Sequence, residues 1–119
     1  RLMQITRVYT GQDNRSHFEP IELQFIQDVG RFPRAMEQAA SNVGFNTQPA
    51  GTLDAMHTAP ERRFVIFISG RVQLELSDGG SCVMGAGDVI LFEDTTGEGH
   101  RLTPLGDEPR YSLFVGMGT

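Results

Sequence analysis

The chain has 119 residues, fifteen Asp and Glu against ten Lys and Arg, and a single cysteine, Cys82. That length encloses one core and reads as one domain over 1–119. A formal net charge of −5 with scattered cations excludes a nucleic-acid footprint, no apolar run approaches the ~20 residues that span a bilayer, and one cysteine excludes an intrachain disulfide or a thiolate metal cluster.

In chain order, Met3–Tyr9 is β-rich and reads as an edge or dimer-exchange strand, followed by a turn at Gly11-Gln12-Asp13-Asn14. Met3 reads as the natural start, with Arg1-Leu2 a cloning remnant before it. No basic-then-apolar leader pattern opens the chain, so the cytoplasm is the expected compartment. Ile21–Gln27 alternates Ile21, Leu23 and Phe25 with Glu22 and Gln24, the pattern of a half-buried strand. Asp28–Ser41 is the least β-like part, and Pro33 is placed to open a short helix over Arg34–Ala40. Val43–Gln48 alternates weakly. Gly51–His57 is read as a strand with Leu53, Ala55 and His57 on its inner face. After a polar bend, Phe64–Ile68 is densely apolar, and Arg71–Ser77 alternates Val72, Leu74 and Leu76 with Arg71, Gln73 and Glu75. Asp78-Gly79-Gly80 is a hairpin turn. The short strands Ser81–Met84, Val89–Phe92, Arg101–Leu105 and Arg110–Val115 complete a sandwich or barrel with little helix.

The stretch Gly51–Gly70, GTLDAMHTAPERRFVIFISG, resembles the first motif of the cupin superfamily, with Gly51 five residues before His57 and Arg63 six before Gly70. Gly85-Ala86-Gly87-Asp88-Val89-Ile90-Leu91-Phe92 resembles the opening of the second motif, and His100 its closing histidine. Asp94-Thr95-Thr96-Gly97-Glu98-Gly99-His100 is similar to a loop of some small bacterial cupins. The match covers about Pro49 to Leu102. It implies a cupin-type double-stranded β-helix, a jelly-roll barrel, with His57 and His100 across the barrel from each other and a homodimer exchanging N-terminal strands. The family's ligand set is incomplete here: Ala59 stands at the second histidine position and Arg63 at that of the glutamate.

His57 and His100 are therefore the candidate acid–base pair, since imidazole titrates near neutrality and also ligates metals. The plainer reading of each is a histidine satisfied by one local hydrogen bond. His17 belongs to neither motif and reads as surface. The resemblance implies three imidazoles and a carboxylate around a divalent ion, whereas this chain offers two imidazoles and a guanidinium, which cannot ligate. No cofactor is expected by default. If Zn, Fe, Ni or Mn is held, His57 and His100 are two of its ligands, with Glu61 or His17 the available third. Arg63 either turns inward as an anion fork or outward to pair with an acid. Phe67 and Phe92 are the candidate aromatic walls of a ligand site, with core as their plainer role, shared with Phe64, Phe114, Met36, Met56, Met84 and Cys82.

Three functions stay open. One is a metal-independent binding module or enzyme for a small anionic or carbonyl-bearing metabolite, in which Arg63 orients the ligand and His57 or His100 moves a proton. The second is a metal-dependent dioxygenase, isomerase or lyase. The third is a non-catalytic protein acting through its dimer surface.

Overall fold

Arg71–Leu76 shows most directly why this chain is all β. Val72, Leu74 and Leu76 are buried while Arg71, Gln73 and Glu75 are not, the two-residue period of a strand packed on one face. A computed structural model describes residues 2–25 and 37–118. Its nine strands are β1 (Leu2–Thr10), β2 (Ser16–Gln24), β3 (Asn42–Gln48), β4 (Arg63–Ser69), β5 (Arg71–Leu76), β6 (Ser81–Met84), β7 (Val89–Phe92), β8 (His100–Leu105) and β9 (Arg110–Gly116). The described residues contain no helix, and so none long and apolar enough to cross a membrane.

The strands form a six-stranded sheet, β2-β1-β7-β4-β9-β3, and a three-stranded sheet, β6-β5-β8. One apolar cluster joins them: Val8, Val65, Phe67, Ile90 and Phe92 from the first sheet meet Val72, Leu74, Leu76, Met84 and Leu102 from the second. This is a double-sheet jelly roll, which the resemblance implies and which falls within the sandwich or barrel that the alternation and glycine turns imply. The chain passes from the first sheet to the second at Gly70, between β4 and β5. Gly70 has φ +80°, and a Cβ there would lie 2.5 Å from the Pro109 carbonyl oxygen, so only glycine fits this corner. Just before it, the pairing of β4 with β9 shifts register between Phe67 and Ser69, while on the other edge the Phe67 backbone bonds Asp88 and Gly87 and carries the β7 pairing one step further.

Two expectations need correction. β1 is not an edge strand: it pairs antiparallel with β2 and parallel with β7, leaving β2 and β3 at the edges. Gly51–Met56 is not a strand either. Thr52 donates from both its N–H and its hydroxyl to the Pro49 carbonyl, and Asp54 accepts from the Leu102 N–H, so local bonds replace a ladder. Leu53 is 92% exposed and Met56 is exposed as well, so neither belongs to the core. The expected short helix falls largely outside the described residues, as does Met36, and the part that is described, 37–40, is irregular.

Glu93, just after β7, ties three segments together. Arg7 of β1 and Arg62 before β4 both donate to its carboxylate, the latter at 2.7 Å. Burial alone raises the Glu93 pKa, but the two guanidiniums outweigh it and leave the group below its ordinary value of 4.5. The contribution is complete above that value and is lost as pH falls through the depressed one. Glu93→Gln is expected to cost about 1–2 kcal/mol at pH 7 and to weaken the loss of stability below pH 4.5, read by denaturant titration across pH. An unchanged acid limb would remove Glu93 from this role.

Candidate functional site

The site is built outward from a buried carboxylate. Asp94 leaves β7 in a position with no solvent exposure, where an unpaired charge would be strongly disfavoured. Its Oδ2 accepts from the Ser16 hydroxyl at 2.6 Å and from His100 Nδ1 at 2.6 Å, while Oδ1 is buried without a partner. The His100 ring, 3% exposed, stacks on Phe92 at 4.3 Å between centroids with 23° between planes. Because the carboxylate accepts, Nδ1 carries a proton, and Nε2 is the ring nitrogen left without a partner.

His57 is placed by backbone. Its N–H donates to the His100 carbonyl and its carbonyl accepts from the His100 N–H, both at 2.9 Å, an isolated antiparallel bridge. Gly99 permits this approach: its φ is +83°, and a Cβ there would collide with the His57 carbonyl oxygen. Imidazole Nδ1 of His57 donates to the Ala55 carbonyl at 2.8 Å, so its Nε2 is also the free ring nitrogen. The two rings stand 4.8 Å apart. They are neighbours on one side of the barrel and not across it, because the bridge brings their backbones together. The His57 side chain is 47% exposed and sits at the rim, not in the interior.

Both histidines line a cavity of about 130 Å³, together with Asn46, Ala59, Arg63, Phe92 and Arg110 among others. Arg63 lines the cavity and is also paired with an acid. It points inward, its guanidinium carbon 3.9 Å from the Phe114 ring centroid, and its Nη2 donates to Glu61 at 3.1 Å. Its Nε is buried with no partner. Phe92 forms wall, whereas Phe67 does not line the cavity: it is core, with Arg110 above its ring. His17 lies elsewhere, between Asp13 and Asp78, and its pKa is raised chiefly by the bond to Asp13.

Two residues were not legible as site residues in the sequence. Asp94 looked like part of a turn, and only its six-residue spacing from His100 hinted at a partnership. Arg110 reads in the sequence only as the first residue of a strand. Its Nε is buried without a partner, and burial pushes its pKa down.

The donor set does not fit a closed divalent-metal site. No group of three His, Cys, Asp or Glu side chains able to hold a metal occurs among the described residues. Glu61 is engaged by Gly118, Arg63 and Asn42, and two guanidiniums line the same cavity as the imidazoles.

No protein-family model matches the chain, and no curated protein matches it. Among solved structures, the chain is similar to ethanolamine utilization protein Q of Salmonella typhimurium, with a TM-score of 0.52 and 10% identity over 99% of this chain and 98% of that one. The fold is an all-β jelly roll of the cupin type. Protein NMB1881 of Neisseria meningitidis matches with a TM-score of 0.51 and 14% identity, over 69% of this chain and 84% of that one. A sugar phosphate isomerase from a cupin superfamily, SPO2919 of Silicibacter pomeroyi, matches with a TM-score of 0.47 and 25% identity over 99% of this chain and 72% of that one.

Replacing Asp94 with Ala leaves the His100 N–H and the Ser16 hydroxyl buried and unpaired, at a cost of about 1–3 kcal/mol. Long-range ¹⁵N NMR is expected to find the Nδ1–H tautomer of His100 in the native protein and its loss in Asp94→Ala. An unchanged tautomer would show that Asp94 does not set it.

Proposed function

We propose that the barrel mouth binds a small anionic or carbonyl-bearing molecule and that His100, oriented by Asp94, moves a proton on it without a metal. The observation that carries this reading is the buried Asp94–His100 pair, whose free ring nitrogen belongs to a residue lining a cavity that also contains Arg63. A carboxylate behind an imidazole holds the ring in one tautomer and stabilises its protonated form, which suits it to general base and acid work. Arg63 supplies the charge that orients an anion or stabilises a developing enolate. A protein acting only through its surface has no need of a cavity bordered by two histidines and two arginines.

One observation favours the metal-dependent alternative. A carboxylate behind His100 and a carbonyl behind His57 are supports also found behind metal-bound imidazoles. Incubation with Zn, Fe, Ni or Mn followed by elemental analysis separates the two readings, and metal well below one per protomer is the expected result.

A panel of small carboxylates and carbonyl compounds, screened by thermal shift, is expected to yield at least one stabilising ligand. A binder carrying an acidic C–H should then exchange it for deuterium in D₂O. His100→Gln should slow that exchange by roughly 10²–10⁴-fold. Binding and exchange that survive both His57→Ala and His100→Gln would contradict the proposal.

A further inference from the structure

The two arginines of the cavity arise at opposite ends of the same sheet face. On the inner face, Arg63 of β4 stands opposite Gly116 of β9, Val65 opposite Phe114, and Phe67 opposite Ser112, while Arg110 begins β9 opposite Gln48. Arg63 sends its guanidinium over the Phe114 ring, one inward-facing row toward the strand centre. Arg110 sends its own toward Phe67, at 5.8 Å and on the row of Ser112, one step in the reverse direction. Both side chains border the same cavity. A planar oxyanion held by a guanidinium places its carbon about 4 Å from the guanidinium carbon. A cavity bordered by both guanidiniums offers one such group two forks.

Both forks lack a partner where it matters. Arg63 Nε and Arg110 Nε are buried without hydrogen bonds. Among the described residues Arg110 makes no side-chain hydrogen bond or ion pair, and a guanidinium stays charged when buried. Its charge therefore sits in the cavity wall, 5.8 Å from the Phe67 ring centroid, with Asp54 acting on it from a distance. Gln48 Oε1 and Ser112 Oγ, on the same inner face, are also buried without partners. Arg110 is only half-buried, so solvent screens part of its charge, and an anion in the cavity would answer the rest and the buried Nε–H.

Size narrows the class. About 130 Å³ encloses about four to six non-hydrogen atoms, and the mouth is open at the His57 rim, so this is the part of a ligand held inside. A carboxylate uses three of these and leaves one to three for the histidine side. We propose that Arg63 and Arg110 grip a single carboxylate between them, and that the ligand is a two- or three-carbon 2-oxo or 2-hydroxy acid whose C2 oxygen faces His57 and His100. This rests on the reading of the cavity as a small-anion site and adds Arg110 as a binding residue.

Calorimetric titration with glyoxylate, glycolate and the neutral isostere glycolamide tests it. Saturable binding of glyoxylate or glycolate is expected, with glycolamide at least tenfold weaker. Arg110→Gln and Arg63→Gln should each weaken the acids by ten- to hundredfold, and Arg110→Lys, which keeps the charge but loses the fork, by less. Thermal melts establish that each variant is folded, and Arg110→Lys serves if the glutamine variant is not. Acid binding that is indifferent to both Arg110 variants overturns the clamp and leaves the small-anion reading standing. Equal affinity for glycolamide overturns the carboxylate assignment. A native protein that ignores all three compounds but binds another small anion, such as inorganic phosphate, overturns the acid class alone, and one that binds no small molecule overturns both readings.

Discussion

The fully buried carboxylate of Asp94 is the constraint on which the site depends. A charge in that position is tolerable only with hydrogen bonds to it, and those on Oδ2 come from distant parts of the chain: Ser16 at the start of β2 and His100 at the start of β8. The Asp94 carbonyl also accepts from the Ala59 N–H, which brings in the segment before β4. His57 then hangs on His100 through a two-bond bridge that the absence of a side chain at Gly99 permits. The imidazole pair is thus held by the fold from several directions, the preorganisation that proton transfer requires.

Around this anchor the local charge opposes that of the whole molecule. The chain carries a formal net charge of −5, yet two guanidiniums line the cavity. Arg63 is answered at one nitrogen by Glu61, and Arg110 is paired with no acid among the described residues. Glu61 accepts from Gly118 and Asn42 as well as from Arg63, and Asp54 accepts from the Leu102 N–H. Net charge therefore says little about what this protein binds, because a ligand responds to the local field within its own cavity.

Most of the strand layout was legible because β strands with one buried face write their period into the sequence. Val72, Leu74 and Leu76 made β5 plain. The same rule misled at Gly51–His57, where Leu53 and Ala55 alternate by chance on a segment held by side-chain bonds to backbone. It also hid Arg110. In β9 the apolar Leu113 and Val115 suggest an inner face, but that face belongs to Arg110, Ser112 and Phe114, which share rows with the inward residues of β4. Only the pairing register reveals this parity. Asp94 was hidden for a different reason: Asp-Thr-Thr-Gly is also what a simple turn looks like, and burial cannot be read from a loop's composition.

The most direct test of the account is a crystal structure of the protein grown with glyoxylate. The account predicts one carboxylate between the Arg63 and Arg110 guanidiniums, with the remaining oxygen toward the ring nitrogens of His57 and His100. Density for the acid elsewhere, or a metal ion on the two imidazoles with Arg110 turned away, would contradict it.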